Sequence, residues 1–505
     1  MACSVLSGAL VGVDGVPVTV EVDLLRRLPA VVIVGLPNGA VKESADRVRS
    51  ALQQAGYDFP KRRVVVNLAP ADLRKAGTAY DLPIAIGVLV ASEQLPDDRA
   101  AGTLFVGELS LEGRLRPIRG ALSLALMAAA QGWKRVVLPA ESAPEAAMVR
   151  DIEVLAAPDL DAVCRWMMGQ DCLSPPPPAP PPASFSDQDL REVRGQNRAR
   201  RALEIAAAGG HNLLMVGSPG CGKTMLAARL PTILPSLTFT ESVEITRVHS
   251  VAGLMPPGAG LMNRRPFRAP HHSITASGMV GNAFLQPGEV SLAHQGVLFL
   301  DELPEFQRHV LELLRAPLED RELRLTRAQG SVVFPAGFSL IAAANPCPCG
   351  FQGHPTRPCS CGPAVIERYR SRLSGPLLDR IDLQVWVQPV DGGQLVNGAP
   401  GEDSATVRAR VEVARARQQA RYAGASFSCN AALYGDHIRE MAQPTAAASR
   451  LLQQTIDAQG LSARTWARLL KVARTLADLD GAERVDTPQL LEASSYRLQE
   501  APTAP

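Results

Sequence analysis

The sequence has no excess of charge of one sign, few aromatic residues and no long apolar run. Its 505 residues include 52 Lys and Arg against 50 Asp and Glu, so any contact with a polyanion must come from local basic clusters. Aromatic residues make up 4% of the chain, which argues against an extensive platform for stacking nucleobases. No apolar stretch reaches the roughly 20 residues of a membrane span, and the first residues do not resemble a signal peptide. These absences predict a cytoplasmic protein without a membrane anchor.

A proline-rich run divides the chain into two parts. Residues 174–184 contain PPPPAPPP, which favours an extended polyproline II conformation and acts as a semi-rigid spacer. Before this linker, residues 1–173 alternate short β-like runs with helical patterns, which predicts an α/β domain. The β-like runs are 30–34 and 64–66, and the helical patterns are 41–54 and 120–131.

The region after the linker divides again by its periodicity. Residues 185–395 alternate apolar strands with helices, which predicts a parallel sheet covered by helices. The strand candidates in this region are 212–216, 297–300 and 338–343. Residues 396–505 are almost purely helical in pattern, and residues 462–479 place apolar side chains close to the 3.6-residue helical period. The predicted fold class is therefore α/β with a helical C-terminal domain.

Residues 217–224 read GSPGCGKT and match the phosphate-loop pattern GxxxxGK[ST] in full, between an apolar strand and a helix. Glycines let backbone N–H groups close around phosphate oxygens, and the helix N-terminus adds partial positive charge. Lys223 is predicted to reach the β- and γ-phosphates of ATP, and Thr224 to hold Mg²⁺. The other predicted nucleotide-binding residues of this loop are Gly217, Ser218, Pro219, Gly220, Cys221 and Gly222.

Residues 297–302 read VLFLDE, an apolar strand that ends in two carboxylates. Asp301 is predicted to bind Mg²⁺, and Glu302 to orient and activate the attacking water. Taken alone, such a short pattern is more often an ordinary acidic turn. Its place after the phosphate loop, in the same α/β domain, favours the catalytic interpretation.

Four of the nine cysteines crowd together as Cys347, Cys349, Cys359 and Cys361, in the pattern C-x-C-x₉-C-x-C. Four thiolates can hold zinc tetrahedrally, and the Gly and Pro residues between the pairs allow the chain to fold back. Free thiols or a redox pair remain the alternative interpretation, and His354 is a further candidate ligand.

Several long motifs give the chain its family resemblance. They are PFRAPHH at 266–272, LFLDELPEF at 298–306, AAANPCPCG at 342–350, LLDRIDL at 377–383 and VNLAPADLRKAGTAYDLPIA at 66–85. With these motifs the chain resembles the ComM/YifB family of magnesium chelatase-like bacterial AAA+ ATPases. The resemblance implies an AAA+ core at 185–395, a helical lid at 396–505 and a hexameric ring. It also implies a DNA helicase that promotes branch migration in homologous recombination, as in natural transformation.

The resemblance also assigns roles to four further residues. It implies that Asn345 is the sensor that polarises the attacking water, and that Arg380 is an arginine finger donated to a neighbouring subunit's nucleotide. It implies that Arg464 is a second sensor arginine and that Gln196 lines the adenine. Taken alone, either arginine would more often form a surface ion pair.

Residues 288–302 are similar to the matching part of the MCM replicative helicases and of the magnesium chelatase ATPase subunit. This similarity implies two inserts, at about 262–287 and, as a hairpin, at about 323–334. Related ring motors direct such inserts to the central pore, where basic side chains track a phosphate backbone without reading sequence. The candidate DNA contacts are Arg264, Arg265, Arg268, His271 and His272 in the first insert and Arg321, Arg324 and Arg327 around the hairpin. Intersubunit packing is an equal alternative for Arg268 and the two histidines.

Residues 105–139 of the first domain resemble the proteolytic domain of Lon and a domain of the RadA recombination helicase. Lon uses a serine–lysine dyad, but the helix after Gly120 has no lysine, and Gly77-Thr78-Ala79-Tyr80 stands where Lon has its serine. This Lon-protease-like domain is therefore interpreted as a non-proteolytic scaffold. Its basic residues at 61–63 and 74–75 are candidate phosphate contacts, with a solvated charged face as the alternative.

Two other functions compete with a DNA motor. One is a chelatase-type ATPase that remodels a protein partner, and the other is an ATP-dependent protease. The extra Lon-like domain disfavours the first alternative, and the missing dyad disfavours the second.

Overall fold

The computed structural model describes residues 3–75, 77–177, 188–327, 330–425, 427–459 and 462–497. The chain forms two compact units, the first from residues 1–183 and 239–263, and the second from residues 184–238 and 264–505. Most of the proline-rich run lies outside the described residues, so its extended conformation stays a prediction. No helix in the described part of the chain is long and apolar enough to cross a membrane.

A mixed sheet forms the centre of the first unit. The strands of this unit are β1 (Cys3–Val11), β2 (Asp14–Leu25), β3 (Ala30–Val34), β4 (Arg63–Ala69), β5 (Thr103–Phe105), β6 (Glu108–Leu109), β7 (Leu115–Arg116), β8 (Arg135–Pro139) and β9 (Glu153–Ala157). Seven of them pair in the order β3-β4-β2-β1-β5-β8-β9, and β6 pairs with β7. The chain reverses between β1 and β2 at Gly12, whose φ of 62° lies in the left-handed region that glycine tolerates.

Helices cover this sheet. They are α1 (Gly39–Lys42), α2 (Ser44–Gln54), α3 (Asp81–Ala91), α4 (Ala121–Ala130), α5 (Ala143–Ala146) and α6 (Leu160–Met167). Helices α3 and α4 are almost entirely apolar because both pack into the core of the unit. The predicted strands and helices of this part are confirmed, except that the structure divides the helix expected at 41–54 in two at Glu43.

A five-stranded parallel sheet forms the centre of the second unit. The strands are β10 (Leu213–Val216), β11 (Phe267–Arg268), β12 (Val297–Leu300), β13 (Glu322–Arg327), β14 (Gly330–Pro335), β15 (Ser339–Ala344) and β16 (Leu383–Trp386). The sheet order is β11-β12-β15-β10-β16, and all pairs are parallel. Strands β13 and β14 form the expected antiparallel hairpin. The three strands predicted in this region are confirmed within one residue at each end.

The helices of the second unit include a C-terminal group from α17 onward. All of them are α7 (Asn197–Gly209), α8 (Lys223–Arg229), α10 (Ala276–Val280), α11 (Glu289–Leu292), α12 (Arg308–Glu312), α13 (Arg315–Asp320), α14 (Pro363–Arg370), α15 (Gly375–Leu378), α16 (Gly392–Asn397), α17 (Ser404–Arg421), α18 (His437–Ala442), α19 (Ala446–Gln459), α20 (Ala463–Asp480) and α21 (Thr487–Ser495). Asp403 and Ser462 cap the two longest helices, because each side chain accepts a backbone N–H of the first turn. The helical C-terminal pattern is therefore confirmed in the described residues.

One further helix, α9 (Phe239–Ala252), belongs to the first unit although its sequence lies inside the range 185–395. Ser250 Oγ donates to the buried carboxylate of Glu145 at 2.7 Å and accepts the N–H of Gly120 at 2.8 Å. Arg247 donates to the carbonyl of Val13 at 3.1 Å. Burial raises the pKa of Glu145. The segment predicted as one continuous core is thus shared between the two units.

Candidate functional site

The phosphate loop joins the end of β10 to the start of α8. Gly220 and Gly222 adopt φ values of 79° and 94°, which explains why glycine stands at these positions. Lys223 begins the helix, and its Nζ donates to the carbonyl oxygens of Gly217 at 2.7 Å and Ser218 at 3.0 Å. The loop therefore surrounds the ammonium group of Lys223, which places this group where the loop would also bind a phosphate.

Two features of the loop fit an anion. The Oγ of Ser218 is buried and has no partner among the described residues, and an unpaired buried hydroxyl is destabilising unless a ligand satisfies it. Burial lowers the pKa of Lys223, against the opposing effects of nearby Cys221 and Asp301. A bound triphosphate would restore the charged ammonium, so the residues present fit ATP.

Asn345 and Asp301 meet the phosphate loop from β15, which pairs with β10, and from β12, which lies one strand further along the sheet. Asn345 follows β15, and its Oδ1 accepts a hydrogen bond from Lys223 Nζ at 3.1 Å. Asp301 follows β12, and its Oδ2 accepts from Thr224 Oγ1 at 2.6 Å. Octahedral Mg²⁺ with ligands at about 2.1 Å needs neighbouring oxygens about 3 Å apart. A slight opening of the Thr224–Asp301 pair would admit the ion, so these two residues fit Mg²⁺.

Glu302 lies directly beyond Asp301 in a left-handed conformation, with φ of 52°. Its N–H donates to Asp301 Oδ1 at 2.9 Å. The Nδ1 of His272 lies 3.6 Å from Glu302 Oε2. The sequence pattern places His272 among the candidate DNA-contact or packing residues and does not link it to Glu302. No local pattern signals this contact, because the two residues are distant in sequence.

Gln196 also contacts the loop. It precedes α7 with φ of 54°, and its Nε2 donates to the carbonyl of Cys221 at 3.2 Å. The segment expected to line the adenine therefore lies beside the phosphate loop.

Arg380 lies at the opposite edge of the sheet from the phosphate loop. It precedes β16, which runs parallel to β10, and its carbonyl accepts from Asn212 just before β10. The phosphate loop follows β10, and a strand of this length spans about 13 Å. Arg380 is therefore directed away from the nucleotide site of its own chain.

Arg464 is the second residue of α20 and is exposed. It forms no hydrogen bond or ion pair within the described residues. Arg468, one turn further along α20, donates to the carbonyl oxygens of Leu378 at 3.2 Å and Ile381 at 3.0 Å. The role implied for Arg464 therefore stays a prediction.

The four clustered cysteines lie together, with all sulfur atoms within 4.8 Å of one another. Three Sγ–Sγ distances are 3.4, 3.5 and 3.6 Å, close to the roughly 3.8 Å of four sulfurs at 2.3 Å around zinc. Although burial opposes ionisation, backbone N–H groups lower the pKa of Cys349 to about 5. Burial and the neighbouring thiols raise the pKa of Cys359 to about 12. The four thiols can therefore hold a metal ion. If several of them ionise together, the positive charge of the ion would offset the repulsion between the neighbouring thiolates.

His354 does not join the cysteine cluster. Its Nδ1 accepts the backbone N–H groups of Thr356 at 3.2 Å and Arg357 at 3.1 Å, so it stabilises a turn instead. The residue after Cys349 approaches the phosphate loop, because a Cβ added at Gly350 would lie 2.4 Å from Pro219 Cδ.

We expect protein purified without chelators to contain about one zinc per chain, and the Cys359→Ser variant to contain little, because three sulfurs hold zinc less tightly than four. Elemental analysis of both proteins measures this difference. Cys172→Ser is the matched control, since Cys172 is exposed and outside the cluster. Wild-type protein without zinc would contradict the prediction.

Several basic residues named as candidate DNA contacts are engaged elsewhere. Arg268 forms an ion pair with Glu289 at 2.6 Å, and Arg265 donates to the carbonyl oxygens of Pro235 and Gln295 at 2.8 Å each. Lys75 is fully buried. Lys75 is the buried one of the three, whereas Arg265 and Arg268 are half-buried, and a basic cluster in sequence does not reveal these long-range partners. Lys75 is therefore removed from solvent, and a DNA contact by Arg265 or Arg268 stays a prediction.

Other candidates remain on the surface. Arg324 and Arg327 on the hairpin are exposed, as are Lys61, Arg62 and Arg74 in the first unit. His271 and His272 lie with their ring centroids 4.0 Å apart. The hairpin arginines and these three residues of the first unit therefore stay candidate contacts for a phosphate backbone.

Three family models match the chain in series. "Subunit ChlI of Mg-chelatase" matches residues 20–142, "Magnesium chelatase, subunit ChlI" matches residues 189–395, and "Magnesium chelatase, subunit ChlI C-terminal" matches residues 401–497. The α/β fold with parallel sheets is consistent with the AAA+-like ATPase domain of magnesium chelatase.

Similar proteins extend over the whole chain. YifB of Escherichia coli is 44% identical over 492 residues, which cover 97% of this chain and 96% of that protein. Competence protein ComM of Haemophilus influenzae is 44% identical over 503 residues, covering 98% and 97%. An uncharacterized protein of Mycobacterium tuberculosis is 44% identical over 495 residues, covering 97% of both. The chain belongs to the ComM/YifB family of magnesium chelatase-like proteins.

Proposed function

We propose that this protein is a ring-forming ATPase that moves on DNA and promotes branch migration during homologous recombination. The observation that carries the proposal is the convergence of Lys223 with Asn345 and of Thr224 with Asp301 at one edge of a parallel sheet. The sequence resemblance to the ComM/YifB family supports the DNA substrate. One relative is named a competence protein, which agrees with a role in natural transformation. A cytoplasmic location belongs to the same proposal.

The site residues divide the work of hydrolysis. Lys223 and the backbone of the loop bind the phosphates, and Thr224 and Asp301 hold Mg²⁺, which neutralises phosphate charge when bound. Glu302 accepts the proton of the attacking water, and Asn345 orients that water. Gln196 lies where it can border the base of the nucleotide.

Arg380 supports the ring. Because it lies at the far edge of its own sheet, its guanidinium can stabilise transition-state charge only on a neighbouring subunit's nucleotide. A closed homo-oligomer supplies such a neighbour at every site. The choice of six subunits rests on the family resemblance.

A chelatase-type remodeller is the second candidate, because all three matched family models are named for magnesium chelatase. A protease is disfavoured by the first unit. Tyr80 is buried, and Lys75 Nζ donates to the carbonyl of Pro70, so neither takes part in a nucleophilic dyad.

The test is strand exchange on a labelled four-way DNA junction with ATP and magnesium. Wild-type protein is expected to convert the junction into separate duplexes by branch migration. Lys223→Ala is expected to be inactive, because it removes the ammonium group that binds the phosphates. DNA binding and DNA-stimulated hydrolysis are measured in parallel. Wild-type protein that hydrolyses ATP without resolving or binding the junction would favour the remodeller.

A further inference from the structure

The guanidinium of Arg380 is held by its own subunit. Its Nη1 donates to the carbonyl of Pro376 at 2.8 Å, and its Nη2 forms an ion pair with Glu319. Its Nε is buried and has no partner among the described residues. Only 14% of the Arg380 side chain is exposed, against 57% of Glu319. In this arrangement most of the Arg380 side chain is shielded from solvent by its own subunit.

Glu319 lies on α13, which leads directly into the hairpin. Arg321 ends this helix in a left-handed conformation, with φ of 58°, and β13 begins at the next residue. The carbonyl oxygen of Arg321 accepts a hydrogen bond from the N–H of Ala336 at 2.8 Å. This bond joins the start of β13 to the residue that follows β14. The residue that restrains Arg380 is therefore two positions from the base of the hairpin.

Arg321 also joins this junction to the C-terminal helices. Its Nη2 donates to the Sγ of Cys429 at 3.4 Å, in the loop between α17 and α18. The hairpin carries two exposed arginines, Arg324 midway along β13 and Arg327 at the far end of this strand. A force on the hairpin therefore reaches α13 through a short backbone connection.

We propose that Glu319 is a positioning residue for Arg380. It keeps the guanidinium on its own subunit while the hairpin is empty, and displacement of α13 by bound nucleic acid releases the guanidinium toward the neighbour's γ-phosphate. This inference rests on the proposed function, in which Arg380 acts on a neighbouring subunit. It explains in physical terms how occupancy of the hairpin would raise the rate of ATP hydrolysis.

The Glu319→Gln variant tests the restraint, because it removes the charge and keeps the side-chain size. Its kcat for hydrolysis without DNA is expected to rise about fivefold, which corresponds to loss of one partly exposed ion pair. Its KM for ATP is expected to stay unchanged, since Glu319 restrains an arginine that acts on another subunit. Stimulation by a poly(dT) oligonucleotide or a four-way junction is expected to shrink by the same factor.

Asp320→Asn is the matched control. Asp320 is the adjacent exposed carboxylate, and it forms no ion pair within the described residues, so this variant is expected to behave as wild type. Glu319→Asp keeps the charge and is expected to retain most of the restraint. The double variant Glu319→Gln, Arg380→Ala is expected to be as slow as Arg380→Ala alone.

A Glu319→Gln rate equal to or below that of wild type would overturn the inference, as would a raised rate that survives the loss of Arg380. A wild-type protein that neither binds DNA nor responds to it would overturn the proposed function instead. The comparison of rates without DNA would still decide whether Glu319 restrains Arg380.

Discussion

Arg380→Ala is expected to lower kcat for ATP hydrolysis by about 10³-fold or more, the usual contribution of an arginine finger. ATP binding is expected to persist, because Lys223, Thr224 and Asp301 lie at the other edge of the sheet and do not contact Arg380. Steady-state hydrolysis and binding of a fluorescent ATP analogue separate the two effects. Arg450→Ala is the matched control, since Arg450 is an exposed arginine on α19 that donates only to a carbonyl of its own helix.

A mixing experiment decides whether the arginine acts between subunits. Arg380→Ala protein has an intact phosphate loop, and Lys223→Ala protein has an intact arginine. When both are combined, some interfaces pair an intact phosphate loop with an intact arginine, and part of the activity is expected to return. Mixed protein that remains as slow as the separate variants would indicate that Arg380 acts within its own chain.

Glu302→Gln is expected to lower kcat by about 10²- to 10⁴-fold, the range for loss of a general base. Glutamine keeps the size of the side chain but cannot take a proton from water. The Thr224–Asp301 pair and the Lys223–Asn345 contact do not involve the Glu302 side chain, so ATP and Mg²⁺ are expected to remain bound. Single-turnover hydrolysis and equilibrium nucleotide binding measure the two parts.

Glu305→Gln provides the control for this result. Glu305 lies three residues further along and pairs with Arg372 at 3.0 Å on the surface. The Glu305→Gln variant carries the same isosteric change but keeps the proposed base, so its kcat is expected to stay near that of the wild type. Equal losses in both variants would contradict a specific role for Glu302, and a loss of ATP binding in Glu302→Gln would make it a binding residue.

The sequence predicted well those features that are encoded locally. A recognisable apolar strand precedes each of three features, namely the phosphate loop, the Asp301-Glu302 pair and Asn345. The carboxyl ends of parallel strands lie at the same edge of a sheet. Their meeting therefore followed from the strand order. The cysteine cluster was equally predictable from sequence, because a short loop rich in Gly and Pro brings its two C-x-C pairs close together.

Other features depend on partners that no local pattern reveals. His272 lies near Glu302, Arg268 pairs with Glu289, and Lys75 is buried, whereas the sequence predicted only DNA contacts, intersubunit packing or a solvated charged face for these residues. Charge alone does not determine exposure, since an ion pair or a carbonyl partner can stabilise a basic side chain in the interior. The assignment of α9 to the first unit escaped prediction for the same reason.

The path of the chain between its two units determines whether the first unit can be removed without disturbing the rest of the fold. Residues 239–263 belong to the first unit although the segments on both sides belong to the second, so the described chain passes between the units at 238–239 and again at 263–264. The apolar residues Ile245, Val248 and Val251 of α9 are buried. Deleting residues 1–183 would leave this helix without Glu145 and Val13, with its apolar side deprived of cover. The first unit therefore cannot be separated by a single cut in the chain, because residues 239–263 also belong to it.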